Sequence, residues 1–314
     1  MASSEPSQET DFTNAYYIKL GRGGAWEKDS IESGKLRLGW REQSIEDINA
    51  GLWDHIESQL REKDGGKRVP ATTSDLNALK ILAFSTLEDI WITFHEARLW
   101  WTRLEPGAIE QDAISKFRRA AVPWRDHAAD GRPLWMSTLP GKISQLQGFR
   151  ATVCRVGSGD ILRRILSGVR SPLAIAIRDH RELLEQDMTK AIKDLHWKDF
   201  ETLVDLVFRA AGWARVSILG EQVKGLDLEL REQVTGERFV VQVKSRAGLS
   251  DLRSTMSSFS RGNYKRLFFV VHTPDDDLVN LTGIPDEVQI VGPELLGRLA
   301  MNAGLAAWLE DKVS

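Results

Sequence analysis

Between residues 44 and 62 the apolar positions Ile45, Ile48, Leu52, Ile56 and Leu60 recur at spacings of three and four behind Ser44. That period predicts one amphipathic helix with a serine cap. The polar stretch KDGGKRVPATTSD reads as a loop, and Asp75 is placed to cap a second helix through LNALKILAFST. In DIWITFHEARLWWTRLEP the pattern predicts two strands joined by a turn at His95, Glu96 and Ala97. Upstream, YYIKLGRGGAWEKDSIESGKLRLGW breaks short alternating runs with glycine, the mark of strands and tight turns. Together these elements predict a small mixed α/β domain with a curved, barrel-like sheet.

The second half is more regular. HWKDFETLVDLVFRAAGW sets Phe200, Leu203, Val204, Val207 and Phe208 on one helix face and closes at Gly212. LDLEL alternates as a strand, REQVTGER turns the chain, and FVVQVKS alternates again. LSDLRSTMSSFSRG follows as a helix, RLFFVVHT as a buried strand, VQIVG as a short strand, and PELLGRLAMNAG as a last helix with Pro293 in its first turn. This order predicts a mixed sheet flanked by helices. RDHRELLEQDMTKAIKD, just before it, reads as a charged connecting helix. The fold class is α/β, α+β overall, with no internal repeat. The expected layout is a disordered leader over 1–12, a front domain over 13–178, the connecting helix over 179–195 and a back domain over 196–314.

A chain of 314 residues is long for one core, which agrees with two domains. Its 42% hydrophobic and 28% charged content is that of an ordinary globular protein. MASSEPSQETDF lacks the basic start and apolar run of a secretory signal, and no stretch reaches the roughly 18 apolar residues of a membrane span. No membrane partner is expected. Cys154 is the single cysteine, which excludes a disulfide framework or thiolate zinc site within one chain and fits a reducing cytoplasm. The net charge of -3 makes no whole-chain case for nucleic acid. From 113 to 178, however, twelve lysines and arginines, Arg118 and Arg119 among them, face three aspartates. Such a stretch either follows a polyphosphate backbone or is a solvated face balanced by acids elsewhere.

Four polar residues stand out against the apolar elements of the back half. Gln242 and Lys244 share one face of the FVVQVKS strand, and Asp227 lies in LDLEL opposite the face of Leu226, Leu228 and Leu230. Glu201 lies on the helix that must pack on the sheet. If the two strands pair, Asp227, Gln242 and Lys244 point to one side. A carboxylate, an amide oxygen and a strand carbonyl, that of Val243, suit a hard cation such as Mg²⁺, with Mn²⁺ as a substitute. The lysine can then orient or deprotonate a metal-activated water and offset charge on a phosphate. A cross-strand ion pair between Asp227 and Lys244 is the plainer alternative. Glu229, on the same face, is either a further ligand or a solvated acid.

The order DFETLV, GLDLEL, VVQVKS over residues 196 to 246 resembles the Mrr-type branch of the PD-(D/E)xK restriction-endonuclease-like superfamily. That resemblance implies a restriction-endonuclease-like mixed sheet and metal-dependent cleavage of DNA phosphodiesters. It makes Asp227 the metal-binding aspartate, Gln242 the substituted acid, Lys244 the catalytic lysine and Glu201 the helix glutamate of the site. It covers roughly the last 120 residues.

Eight of the eleven tryptophans fall in the first 135 residues. DIWITFHEARLWWTRLEPG resembles the EVE and YTH branch of PUA-like barrels, which implies an aromatic cage for a modified base. Trp26, Trp40, Trp91, Trp100 and Trp101 are its candidate walls; the competing role for each is core packing. Trp100 and Trp101 point to opposite faces of a strand. Arg22, in the turn LGRGGAW, is a candidate phosphate contact. The function these resemblances imply is a modification-dependent DNA endonuclease of phage defence, acting as a homodimer where both strands are cut. The alternative is a non-cleaving reader of modified nucleic acid with an inactive nuclease fold.

Overall fold

The computed structural model describes residues 10–63, 70–216, 227–259 and 264–314. The expected leader through residue 9, residues 64–69 of the expected loop, Leu226 and the end of the SFSRG segment lie outside them. Contacts divide the chain into two units, Met1–Ser171 and Pro172–Ser314.

The first unit begins with β1 (Asn14–Ile18), α1 (Glu27–Ser33) and β2 (Lys35–Leu38). α2 (Ile45–Asn49), α3 (Trp53–Lys63) and α4 (Pro70–Phe84) follow. Then come β3 (Asp89–His95), β4 (Arg98–Thr102), β5 (Glu110–Gln111) and β6 (Lys116–Arg119). α5 (Gly141–Ser144), β7 (Val153–Arg155) and α6 (Gly159–Ser167) complete it. The single helix expected over 44–62 is two. Gly51 takes a left-handed φ of 69° between them, while the Asn49 side chain exchanges hydrogen bonds with the backbone of Ile109, 2.9 Å each way. Ser44 does cap α2, accepting from the Asp47 amide. The next helix opens at Pro70, not behind Asp75, with proline at the position where its missing N–H costs nothing. α1, within the stretch expected to hold only strands and turns, ends at Gly34 in the left-handed region.

β4, β3, β1 and β7 form one sheet, with β1 parallel to β3 and antiparallel to β7. The turn between β3 and β4 is the expected one, and Glu96 and Ala97 both take positive φ. On β3, Ile90, Ile92 and Phe94 enter one apolar cluster and Trp91 the other, so both faces are covered. β2, β6 and β5 make a second, antiparallel sheet. A bridge between Leu104 and Ala120 runs beyond β4 and β6, but among the described residues the strands do not close into one barrel.

The second unit opens with α7 (Pro172–Asp194) and α8 (Trp197–Ala210). β8 (Trp213–Arg215), β9 (Leu228–Glu232), β10 (Arg238–Ala247) and α9 (Leu249–Phe259) follow. β11 (Arg266–Pro274), α10 (Asp276–Val279), β12 (Val288–Val291), α11 (Pro293–Asn302) and α12 (Ala306–Val313) complete it. The sheet order is β12-β11-β10-β9-β8; β11 and β12 run parallel to β10, β9 is antiparallel to β10, and β8 is antiparallel to β9, giving a mixed sheet. The segment read as a connecting helix is the end of α7, which buries Met188 and Ile192 in the core of this unit. α11 crosses it closely: a Cβ on Gly297 would lie 2.7 Å from Thr189 Oγ1.

Candidate active site

β10 runs through the middle of the sheet, and its alternation sorts the side chains. Phe239, Val241 and Val243 join the cluster built with α8 and α11; Val240 joins the opposite one with Leu252 of α9. Gln242 and Lys244 follow Val240 by period two and share its face. The β9–β10 hairpin is closed by Glu232, which accepts from the amides of Val234 and Thr235, and by Gly236 at φ 75°. In its antiparallel register Val241 pairs with Leu228, which puts Asp227 opposite Gln242.

The ladder stops there. The next inward-facing amide of β10, on Val243, donates to Asp227 Oδ2 at 2.7 Å. Gln242, 3% exposed, donates through Nε2 to the same oxygen. The carboxylate thus satisfies a backbone N–H that lies beyond the last β9–β10 pair among the described residues. The Val243 carbonyl takes a long 3.4 Å contact from the Gln242 amide. Lys244 is half-buried, and its ammonium makes no ion pair with Asp227 or any other described acid. The cross-strand ion pair therefore does not form.

Among the described residues no three His, Cys, Asp or Glu side chains gather as a metal site. A cation here would rest on Asp227, the Val243 carbonyl and, with the amide turned so that its oxygen replaces Nε2 between them, Gln242, with water completing its shell. Mg²⁺ accepts that kind of set, because it keeps several waters and commonly takes one or two carboxylates. Glu201 does not join the group. It is exposed on α8, whose Phe200, Leu203 and Val204 pack on the sheet face opposite to Gln242. Phe200 meets the ring of His272 edge-on at 4.9 Å. Glu229 is taken by Arg238, whose Nε donates to it at 2.6 Å. Sequence reasoning missed the Val243 amide as a partner of Asp227; the hairpin register, whose last pair is Val241 with Leu228, two residues short of Val243, carried the signal.

In the first unit the candidate aromatic walls separate. Trp91 and Trp101 are 0% and 1% exposed, and their indole N–H groups donate to Ser85 Oγ and the His127 carbonyl, so neither can face a ligand. Trp26, Trp40 and Trp100 are half-buried against the same cluster as Trp91. Arg22 is exposed. Of the basic stretch, Lys116 and Arg118 are buried and spend their donors on backbone carbonyls, while Arg119 pairs with Glu110. These three do not supply a polyphosphate track. Burial pushes the pKa of both Lys116 and Arg118 down.

A family model described as restriction endonuclease, Mrr_cat, matches residues 192–273, a span that contains Glu201, Asp227, Gln242 and Lys244. A solved structure of the DNA modification-dependent restriction endonuclease AspBHI is similar over 71% of this chain and 68% of its own, with 14% identity and a TM-score of 0.32. None of the curated proteins matches the chain. No helix among the described residues is long and apolar enough to cross a membrane. Within the second unit, then, residues 192–273 are similar to the restriction-endonuclease family Mrr_cat.

Proposed function

We propose that the protein is a Mg²⁺-dependent DNA endonuclease, with Mn²⁺ as a substitute, in which the second unit hydrolyses the phosphodiester and the first selects the DNA by a modified base. The supporting observation is the end of the β9–β10 ladder, where Asp227 and Gln242 meet across the strands and Lys244 follows on the same face of β10. Asp227, Gln242 and Val243 would hold the cation, which supplies Lewis acidity and a water of lowered pKa. Lys244 faces the same side and donates to a phosphate oxygen as negative charge builds on it. Gln242 brings no charge, so the protein anchors the cation through a single carboxylate. Cutting both strands with one site per chain calls for two copies acting together. Such an enzyme serves in restriction of phage DNA.

Incubation with Mg²⁺ and phage DNAs carrying different base modifications tests this reading. Cleavage of a modified DNA, lost in Lys244→Ala with DNA binding retained, is the expected result. Tight binding with no cleavage of any substrate, with either Mg²⁺ or Mn²⁺, overturns it in favour of a non-cleaving reader.

A further inference from the structure

Two clefts open on either side of the start of β1 and share Thr13 and Asn14 in their walls. The first, about 440 Å³, is lined by Tyr16, Lys80, Phe84 and Asp89; the second, about 450 Å³, by Arg155, Gly157 and Gly159. Both lie within the first unit.

Their shared floor is polar and fixed. Asp89, 5% exposed, accepts from Asn14 Nδ2 at 2.9 Å, the Thr86 amide at 2.9 Å and Ser85 Oγ at 3.2 Å. Arg155 Nη2 donates to Asn14 Oδ1 at 2.7 Å, which carries the network into the second cleft. The walls of the first cleft are aromatic. Tyr16 packs on Trp91 with ring centroids 5.1 Å apart, and Phe84, 67% exposed, leans on Trp53 at 5.5 Å. An aromatic ring left in water at the mouth of a cleft is surface that a ligand can cover. At the two ends stand Lys80, over the Trp53 ring at 5.6 Å and sharing its cleft with Glu88 and Asp89, and Arg155, sharing its cleft with Asp160. Aromatic walls, an ordered polar floor and, in the second cleft, the two arginines Arg155 and Arg163 against the single acid Asp160 match a planar ring that carries an anionic group.

We infer that this groove takes one nucleotide of the DNA, with the base against Tyr16 and Phe84 and its phosphate toward Arg155. The inference rests on the reading that the first unit recognises DNA, and it moves the base from the tryptophans to the start of β1. A base in the groove has left its stack, so aromatic faces replace the neighbours it lost.

The test is a titration of the full-length protein in EDTA, which prevents cleavage, against labelled short duplexes with and without 5-methylcytosine or 5-hydroxymethylcytosine, read by anisotropy. Phe84→Ala is expected to weaken binding about tenfold with an unchanged melting temperature, since its ring is exposed. Tyr16→Ala weakens it similarly and Tyr16→Phe, which keeps the ring, restores it. Arg155→Ala flattens the salt dependence. Undiminished binding in Phe84→Ala and Arg155→Ala overturns the groove while leaving DNA recognition standing. A wild-type chain with no affinity for any duplex overturns both.

Discussion

The amide of Val243 donates to the carboxylate of Asp227 at 2.7 Å at the point where the pairing of β9 with β10 ends. One side chain thereby holds the strand end and presents a charge beside Lys244, and substitution separates the two roles. Asp227→Asn keeps an oxygen for the Val243 N–H, so stability changes by less than about 1 kcal/mol while cleavage is lost. Asp227→Ala also leaves the amide unpaired and costs about 1–3 kcal/mol. Urea denaturation beside a DNA cleavage assay distinguishes the variants; equal stability of the two contradicts the structural role of Asp227.

Gln242→Glu places a second carboxylate within reach of Asp227 at a position only 3% exposed. Two such groups share a proton, which raises the pKa of the pair in the folded protein. A raised folded pKa means a penalty that grows as pH climbs above the unfolded glutamate value of about 4.3. Without metal the variant is expected to be about 2 kcal/mol less stable at pH 7 and to approach wild type at acidic pH. Added Mg²⁺ restores the loss by binding the folded state. Thermal melts at two pH values, with and without Mg²⁺, check this; a variant as stable as wild type at pH 7 in EDTA contradicts the contact.

The strand alternation that places Gln242 and Lys244 on one face, and the hairpin that brings Asp227 to them, were legible because period two and a short turn are local properties. What distant residues decide was not. The Asn49 side chain pairs with Ile109, sixty positions on, where the helix expected over 44–62 breaks into α2 and α3. Which sheet face α8 covers fixes Glu201, and no motif on the helix carries that information. Lys116 and Arg118 count as basic in the sequence, yet their partners are backbone carbonyls, which composition cannot display. Nor could charge alone show that α7 buries Met188 and Ile192.

Adjacent arginines on β6 should behave oppositely. Arg118, 1% exposed, donates to the carbonyls of Leu82 and Glu105 at 2.6 Å each and closes the end of α4. Arg118→Ala leaves buried carbonyls unpaired and is expected to cost about 3 kcal/mol. Lysine does not rescue it, because one ammonium cannot span the fork. Arg119 is exposed and holds Glu110 through two 2.7 Å hydrogen bonds that water screens, so Arg119→Ala leaves stability nearly unchanged. Denaturation followed by tryptophan fluorescence reads both; a mild Arg118→Ala contradicts the helix-closing role.

Asp112 gives the first unit an acid sensitivity whose direction is fixed by its partners. Arg37, 2% exposed, donates to it at 2.9 Å and Lys35 at 2.8 Å, and the Ser115 amide adds a third bond at 3.0 Å. The Arg37 hydrogen bond above all, then that of Lys35, holds the carboxyl well below the usual carboxylate range. A depressed folded pKa contributes stability in full above the unfolded value of about 3.9 and loses it as pH falls toward the folded value. Asp112→Asn removes the charge, leaves Arg37 with Asp29 as its remaining acid, and is expected to cost about 2 kcal/mol at pH 7. Below about pH 4 the wild type weakens faster than the variant and the gap between them closes. Urea midpoints at neutral pH and through the acid range measure that gap, and one that stays constant across the range rules out this pair as a source of acid sensitivity.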